Sequence, residues 1–291
     1  MEGTTELIRW IEEAIGRGQA ELPAFPGVAT RLVDLLEQPD AEMDDVGSLI
    51  AQDQAISAHV LRMANSVIYG GAMPVETVAQ AVLRLGFRET AQVAMTAACR
   101  SLFSMEDRAE LEVFPEVWQA LWLESLVCAY GGRLLSRELK AAHGERVFLA
   151  SMFHNLGGLV VLKVVAHGLV NGHLRSAPDE ADLQAAIDQL HMREGARYLR
   201  GCNLPDYVVT TAEHHHDLDV PFDGEHMHLH VLRLADGLCQ RVGISPFASG
   251  EYGPLAEESA SLFDLDEARL ELFELQFQEL DGQLHEVIRP G

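Results

Sequence analysis

Cysteine is sparse in this chain and unpatterned. Cys99, Cys128, Cys202 and Cys239 are the only four, and no two form a CxxC pair. Each sits in a helical apolar context, which reads as buried free thiols in a reducing cytoplasm rather than a disulfide framework or zinc ribbon. Positive charge is also short: 21 Lys and Arg stand against 45 Asp and Glu, a formal net charge of −24. Such a surface repels phosphate backbones, so general nucleic-acid binding is not expected. The charge serves solubility, and a small anionic ligand in a local pocket remains compatible with it. Long apolar runs are missing too. The longest candidate, Phe148 to Val165, is broken by His154, Asn155 and Lys163, so no membrane insertion is expected. The first residues, Met1 to Glu6, lack the basic and apolar regions of a signal peptide, which again suggests the cytoplasm. There is no GxSxG elbow, Walker A loop or strand-linked GxGxxG. Carboxylate pairs such as Glu12-Glu13 and Asp44-Asp45 read as solvated helix faces.

What is present is helical periodicity. Hydrophobic residues make up 48% of the chain, enough for a buried core, and they recur at three and four rather than alternating. The pattern predicts an all-α protein. Helices are expected over Thr4–Gly18, Gly27–Glu37, a short segment capped by Asp44 or Asp45 and ending near Gln52, and a segment capped by Asp53. After a Gly70-Gly71/Pro74 loop come Thr77–Leu85 and Glu89–Phe103. The acidic stretch Ser104–Pro115 divides the chain into an N-terminal helical bundle, residues 1–105, and a second helical domain, residues 106–291. Met105, Leu111, Val113 and Phe114 within that stretch suit a packed seam better than a flexible tether. The second domain is read as helices over 116–139, 144–153, 156–166, one broken helix or two over 179–201, then 206–213 and 227–242. Residues 244–253 read as a loop. The C-terminal segment Asp266–Ile288 is amphipathic, with Leu270, Phe273, Phe277, Leu280 and Leu284 at helical spacing. It suits packing on the second domain or binding of a partner.

Six of the 13 histidines fall between His214 and His230. His226, His228 and His230 alternate, so one helix face cannot present all three, and they read as surface residues. His215 and His216 follow an apolar helix, and His154, His191 and Asp236 sit on or beside apolar faces. Buried polar groups of this kind must be paired. Both a satisfied hydrogen-bond network and a metal or anion site meet that need.

Several short runs carry a family resemblance. They are Leu22-Pro23-Ala24-Phe25-Pro26, Leu49-Ile50-Ala51-Gln52-Asp53, Leu61-Arg62-Met63-Ala64-Asn65-Ser66 and Ala81-Val82-Leu83-Arg84-Leu85-Gly86. In the second half they are Phe153-His154-Asn155-Leu156-Gly157, His191-Met192-Arg193-Glu194-Gly195, Asn203-Leu204-Pro205, His215-His216-Asp217 and Leu234-Ala235-Asp236. In this order they resemble the HDOD family, non-catalytic relatives of the HD-domain metal-dependent phosphohydrolases, over about residues 20 to 243. The family often has Asp-Pro where this chain has Asp53-Gln54. The resemblance implies an N-terminal bundle joined to an HD-like helical domain.

It also implies positions for a metal set: Glu124 near the place of the first histidine, His154 and Asn155 at the His-Asp pair, His191, His215 and His216 at the later histidines, and Asp236 at the late aspartate. Asn155 is a degenerate position, because an amide lacks the bridging negative charge that would hold two cations and activate water. No cofactor is expected; a residual single divalent or transition metal on His154, His191, His215, His216, Asp236 and Glu124 stays open. Asn65 and Ser66 are candidates for ligand or interaction contacts. The implied role is a non-enzymatic regulatory module of bacterial signal transduction, which binds a signalling protein in trans or senses a small ligand. The alternatives are a degenerate phosphodiesterase for nucleotides or cyclic dinucleotides, and a nucleotide-binding sensor without turnover.

Overall fold

The computed structural model describes residues 2–19, 22, 24–70, 73–102, 108–248 and 250–288. The expectations on Pro23, Gly71, Phe103 and Met105 fall outside them. Every regular element among the described residues is a helix, and no strand occurs among them. The chain divides into two compact units, one of Met1–Leu22 with Met105–Asp281 and one of Pro23–Ser104 with Gly282–Gly291.

The Pro23–Ser104 unit is built from α2 (Gly27–Glu37), α3 (Met43–Ile50), α4 (Gln54–Ala64), α5 (Val78–Leu85) and α6 (Phe87–Cys99). Local chemistry marks most of its helix starts. Glu42 and Asp45 form a reciprocal capping box at α3, and Thr77 and Gln80 form another at α5. Asp53 accepts from the backbone N–H of Ala55 at 2.8 Å and of Ile56 at 3.0 Å, satisfying two of the free donors at the start of α4. Gly86, at φ 81°, makes the sharp break between α5 and α6 that a side chain would resist. Leu32, Ile50, Val60, Met63 and Met95 fill the core.

Asn65 closes a loop in this unit. Its Nδ2 donates to Val75 O at 2.8 Å while Val75 N donates to its Oδ1 at 2.7 Å. Arg84 adds donations to Ala64 O at 2.9 Å and to Met73 O. Ser66 Oγ donates to Met63 O at 2.7 Å. Both candidate contact residues are therefore engaged with the backbone. Beside this clamp, Val67, Met73 and Leu83 stand 79%, 74% and 75% exposed, unusually open for apolar side chains.

The larger unit contains α1 (Glu2–Gly16), α7 (Arg108–Leu111), α8 (Pro115–Leu139), α9 (Gly144–Phe153), α10 (Leu156–Val170), α11 (Glu180–Arg200), α12 (Asp206–His214), α13 (Met227–Val242), α14 (Pro254–Leu262) and most of α15 (Glu267–Ile288). Here the structure departs from the 1–105 boundary. Helix α1 packs on α10 and α11, because Trp10 stacks into the notch left by Gly168 and Glu12 pairs with Arg193 at 2.8 Å. The apolar stretch Gly144–Val170 is long and apolar enough to cross a membrane by length and composition, contrary to the expectation. Yet 89% of its most apolar window is buried in the unit, so it is a core element. Helix α11 is a single continuous helix capped by Asp179, and α14 lies where no helix was expected.

Glycines set the helix spacing around the centre. A Cβ on Gly157 would lie 1.7 Å from the carbonyl oxygen of His191 and 2.6 Å from Gly195 N, so α10 and α11 cross backbone to backbone at this point. That crossing places His191 beside the end of α9. At Gly131 of α8, an added Cβ would lie 2.3 Å from the ring of Phe277, which docks α15 on the unit. Phe273 and Phe277 are buried; Leu272 and Leu275 on the other face are exposed.

Candidate functional site

Three histidines share one arrangement. His154, the residue that ends α9, has Nδ1 2.7 Å from Ser151 O. His191 on α11 has Nδ1 2.9 Å from Ile187 O, and His215 at the end of α12 has Nδ1 3.1 Å from Ala212 O. A carbonyl only accepts, so each Nδ1 carries a hydrogen, and wherever such a ring is neutral its Nε2 is an acceptor. These acceptors converge. His191 Nε2 and His215 Nε2 are 3.1 Å apart, and the rings of His154 and His215 meet edge to face at 5.1 Å. His154 Nε2 lies 3.5 Å from Asp236 Oδ1, and neither atom has a hydrogen-bond partner. The His216 ring lies tilted against that of His215, centroids 4.2 Å apart, and is exposed to solvent.

Facing lone pairs repel, so the cluster requires a shared proton or a cation. Burial, followed by the charge of His216, lowers His191 to about 4; burial and the neighbouring rings hold His215 well below its usual value. His191 and His215 therefore hold a second proton poorly near neutral pH. Nitrogen donors with the tautomer fixed from behind, beside a carboxylate, fit a single divalent or transition cation. His191, His215 and His216 offer donor atoms within 4.8 Å of one another; so do Cys128, His154 and Asp236.

Glu124 and Asn155 do something else. Asn155 Nδ2 donates to Glu124 Oε2 at 3.2 Å, Ser245 Oγ donates to Glu124 Oε1, and Gln240 Nε2 donates to Ser245 Oγ at 2.8 Å. Burial, then the nearby Asp236 carboxylate, push Glu124 well above the usual carboxylate range. Asp236 lies below its own usual value: burial opposes this, and the adjacent His154 outweighs burial. Of the two carboxyls, Asp236 carries the charge and Glu124 the proton. A neutral acid hydrogen-bonded to an amide offers no bridging charge for a second cation.

Arg233 of α13 fixes the turn that carries His215 and His216. Its Nε donates to His215 O at 2.8 Å, and its guanidinium also donates to the carbonyls of His214 and Asp217. Arg233 had no place in the sequence reading, although a buried arginine one turn before Asp236 is a signal of this kind. Asn203, at φ 54°, bends the chain between α11 and α12 and so aims the second helix at the cluster. A cleft of about 280 Å³ opens beside His215, His216 and Asp236, walled by Gln240, Glu251 and Leu255.

Of the alternating histidines only His226 lies at the surface, about a third exposed beside the exposed Asp223. His230 is fully buried, with Nε2 3.2 Å from Pro221 O, and His228 Nε2 lies 3.2 Å from Thr211 Oγ1. His226 Nδ1 bonds Asp223 at 2.8 Å. Alternation on a helix spreads them over different neighbours, and α14 covers His230 through Ser259 at 3.5 Å. None of them joins the cluster of His154, His191 and His215.

Comparison with known proteins bears on the fold. A crystal structure of an HDOD domain protein of unknown function from Geobacter sulfurreducens superposes with a TM-score of 0.68 at 20% identity, over 97% of this chain and 96% of that one. A proposed metal-dependent phosphohydrolase from Shewanella amazonensis superposes at 0.66 with 24% identity, over 91% and 90%. At these identities the likeness speaks for the fold. An uncharacterized protein of Treponema pallidum is 26% identical over 224 residues, 74% of this chain; the match spans 40% of that relative's length. The HDOD domain model matches residues 22–218, from the N-terminal bundle through the paired histidines, and the chain belongs to the HDOD domain family.

Proposed function

We propose that the protein is a non-hydrolytic regulatory module of the signal-transduction type, which senses a ligand at the histidine cluster and acts by binding a partner protein. The observation that carries this reading is the Asn155–Glu124 hydrogen bond, 3.2 Å long. Two-metal phosphate chemistry needs a charged bridge that holds both cations and the water between them. Here that position is an amide whose N–H is committed to a neutral acid. The intact histidines favour retained ligand binding without turnover. The exposed side chains of Val67, Met73 and Leu83, beside the Asn65 clamp, support an apolar contact for a signalling partner in trans. Buried thiols at Cys128 and Cys239, outside any disulfide, support a reducing, cytoplasmic setting.

The test is Asn155→Asp in the full chain, with bound manganese counted per chain by metal analysis. The wild type is expected to hold at most one ion and to leave nucleotides and cyclic dinucleotides intact. Two manganese ions per wild-type chain, or turnover by the wild type that Asn155→Asp merely increases, contradicts the proposal.

A further inference from the structure

Cys128 lies one helical turn beyond Glu124 on α8, and its thiol is buried at the same centre. Its Sγ, His154 Nε2 and an oxygen of Asp236 all lie within 4.8 Å of one another. Cys239, on the same face of α13 as Asp236, places its own Sγ 3.4 Å from that of Cys128. Two of the convergent atoms, His154 Nε2 and Asp236 Oδ1, are buried and lack a hydrogen-bond partner. Such atoms cost about 1–3 kcal/mol each unless something satisfies them.

We infer that Cys128, His154 and Asp236 form a sulfur-containing site for a thiophilic dication such as zinc. Three arguments converge. Donors bound at about 2.0–2.3 Å to a tetrahedral ion stand about 3.3–3.8 Å apart. The His154–Asp236 separation of 3.5 Å already has that value, and closing Cys128 onto it takes a shift of about 1 Å. The charges also balance. One thiolate, one carboxylate and one neutral imidazole cancel a dication, which a buried site requires; an all-histidine set would leave it uncompensated. Finally, the second thiol supports the first, since Cys239 S–H can donate to the Cys128 thiolate across the 3.4 Å gap. The cleft that opens beside His215 borders one of the three donors, Asp236. Binding replaces the Cys128 S–H bond by a metal–sulfur bond and releases that proton to solvent. The inference rests on the reading of this centre as a ligand-sensing site, and it names the ligand class.

Cobalt(II) titrated into the full, untagged chain under a phosphine reductant tests it. A sulfur-to-cobalt charge-transfer band in the near ultraviolet, saturating at one equivalent and displaced by zinc, is the expected result. Cys128→Ser should remove the band and weaken binding more than about tenfold, and Cys202→Ser should leave both unchanged. X-ray absorption of the zinc-loaded wild type needs no variant and should show one sulfur at about 2.3 Å. Cobalt bound with only nitrogen and oxygen donors, a band that persists in Cys128→Ser, or no binding overturns the inference. Nitrogen-only binding would do so while leaving the non-hydrolytic reading intact. Nucleotide turnover would contradict that reading without altering the sulfur band.

Discussion

Asparagine and aspartate have nearly the same shape, so their exchange at residue 155 preserves packing while removing a charge. Glu124 keeps its proton because it is buried beside Asp236, with the Asn155 hydrogen bond pulling the other way, and Asp236 is the charged carboxylate of the centre. Other single residues carry the geometry. With only 1.7 Å between a Gly157 Cβ and the His191 carbonyl, Gly157→Ala must push α10 from α11. We expect a loss of about 3 kcal/mol or more, read as a lower thermal midpoint, because backbone cannot yield as a side chain does. An unchanged midpoint would mean that the crossing is looser than described. His59 of α4 gives a pH prediction. Burial, reinforced by Arg62 and Arg100, lowers it from the ordinary 6.5 to about 4, and its Nε2 has no partner. The folded form therefore binds fewer protons than the unfolded chain between those values. Stability from this residue is complete above about 6.5 and declines as pH falls toward 4, by about 3 kcal/mol in all. His59→Leu should flatten that part of the stability–pH curve, measured by urea unfolding; a curve of the same slope would exclude His59 as its source.

At the scale of elements, short latches decide where helices dock. Glu110 on α7 is buried and pairs with Lys163 at 3.0 Å and His167 at 2.8 Å, both on α10. Glu110→Gln keeps the shape and removes the charge, so α7 should detach in part and become a site of early proteolysis between residues 108 and 114. Equal cutting rates in variant and wild type would show that the latch is dispensable. Most helices were legible because their starts and stops are local: Asp53, Thr77, Gly86 and Asp179 announce boundaries that the structure keeps. The helix α14 was missed although Pro254 follows Gly253 in a good starting position, because Ala and Ser give its inner face little apolar contrast. The burial of His230 was illegible for the same reason, since α14 supplies its cover. Helix α1 was assigned by chain order, whereas its docking is decided by Trp10 meeting a glycine about 160 residues away, a pairing that only tertiary structure reveals.

On the scale of the whole molecule, the site was legible only through resemblance. Composition and periodicity left the histidines open to either a hydrogen-bond network or a metal site. What neither reading contained was the fixed tautomer of three rings, the Arg233 brace and the placement of Cys128, all of which depend on helices distant in sequence meeting at one point. The chain spans 40% of the Treponema pallidum relative, so in that protein a module of this kind stands within a much longer chain. We propose that this one senses without hydrolysing. The most direct measurement is turnover by the purified full chain on a panel of nucleotides and cyclic dinucleotides, with Mn, Fe, Mg or Ni supplied and His154→Ala run in parallel. Product is expected no faster than in the His154→Ala control; metal-dependent turnover that His154→Ala abolishes would contradict the non-hydrolytic reading.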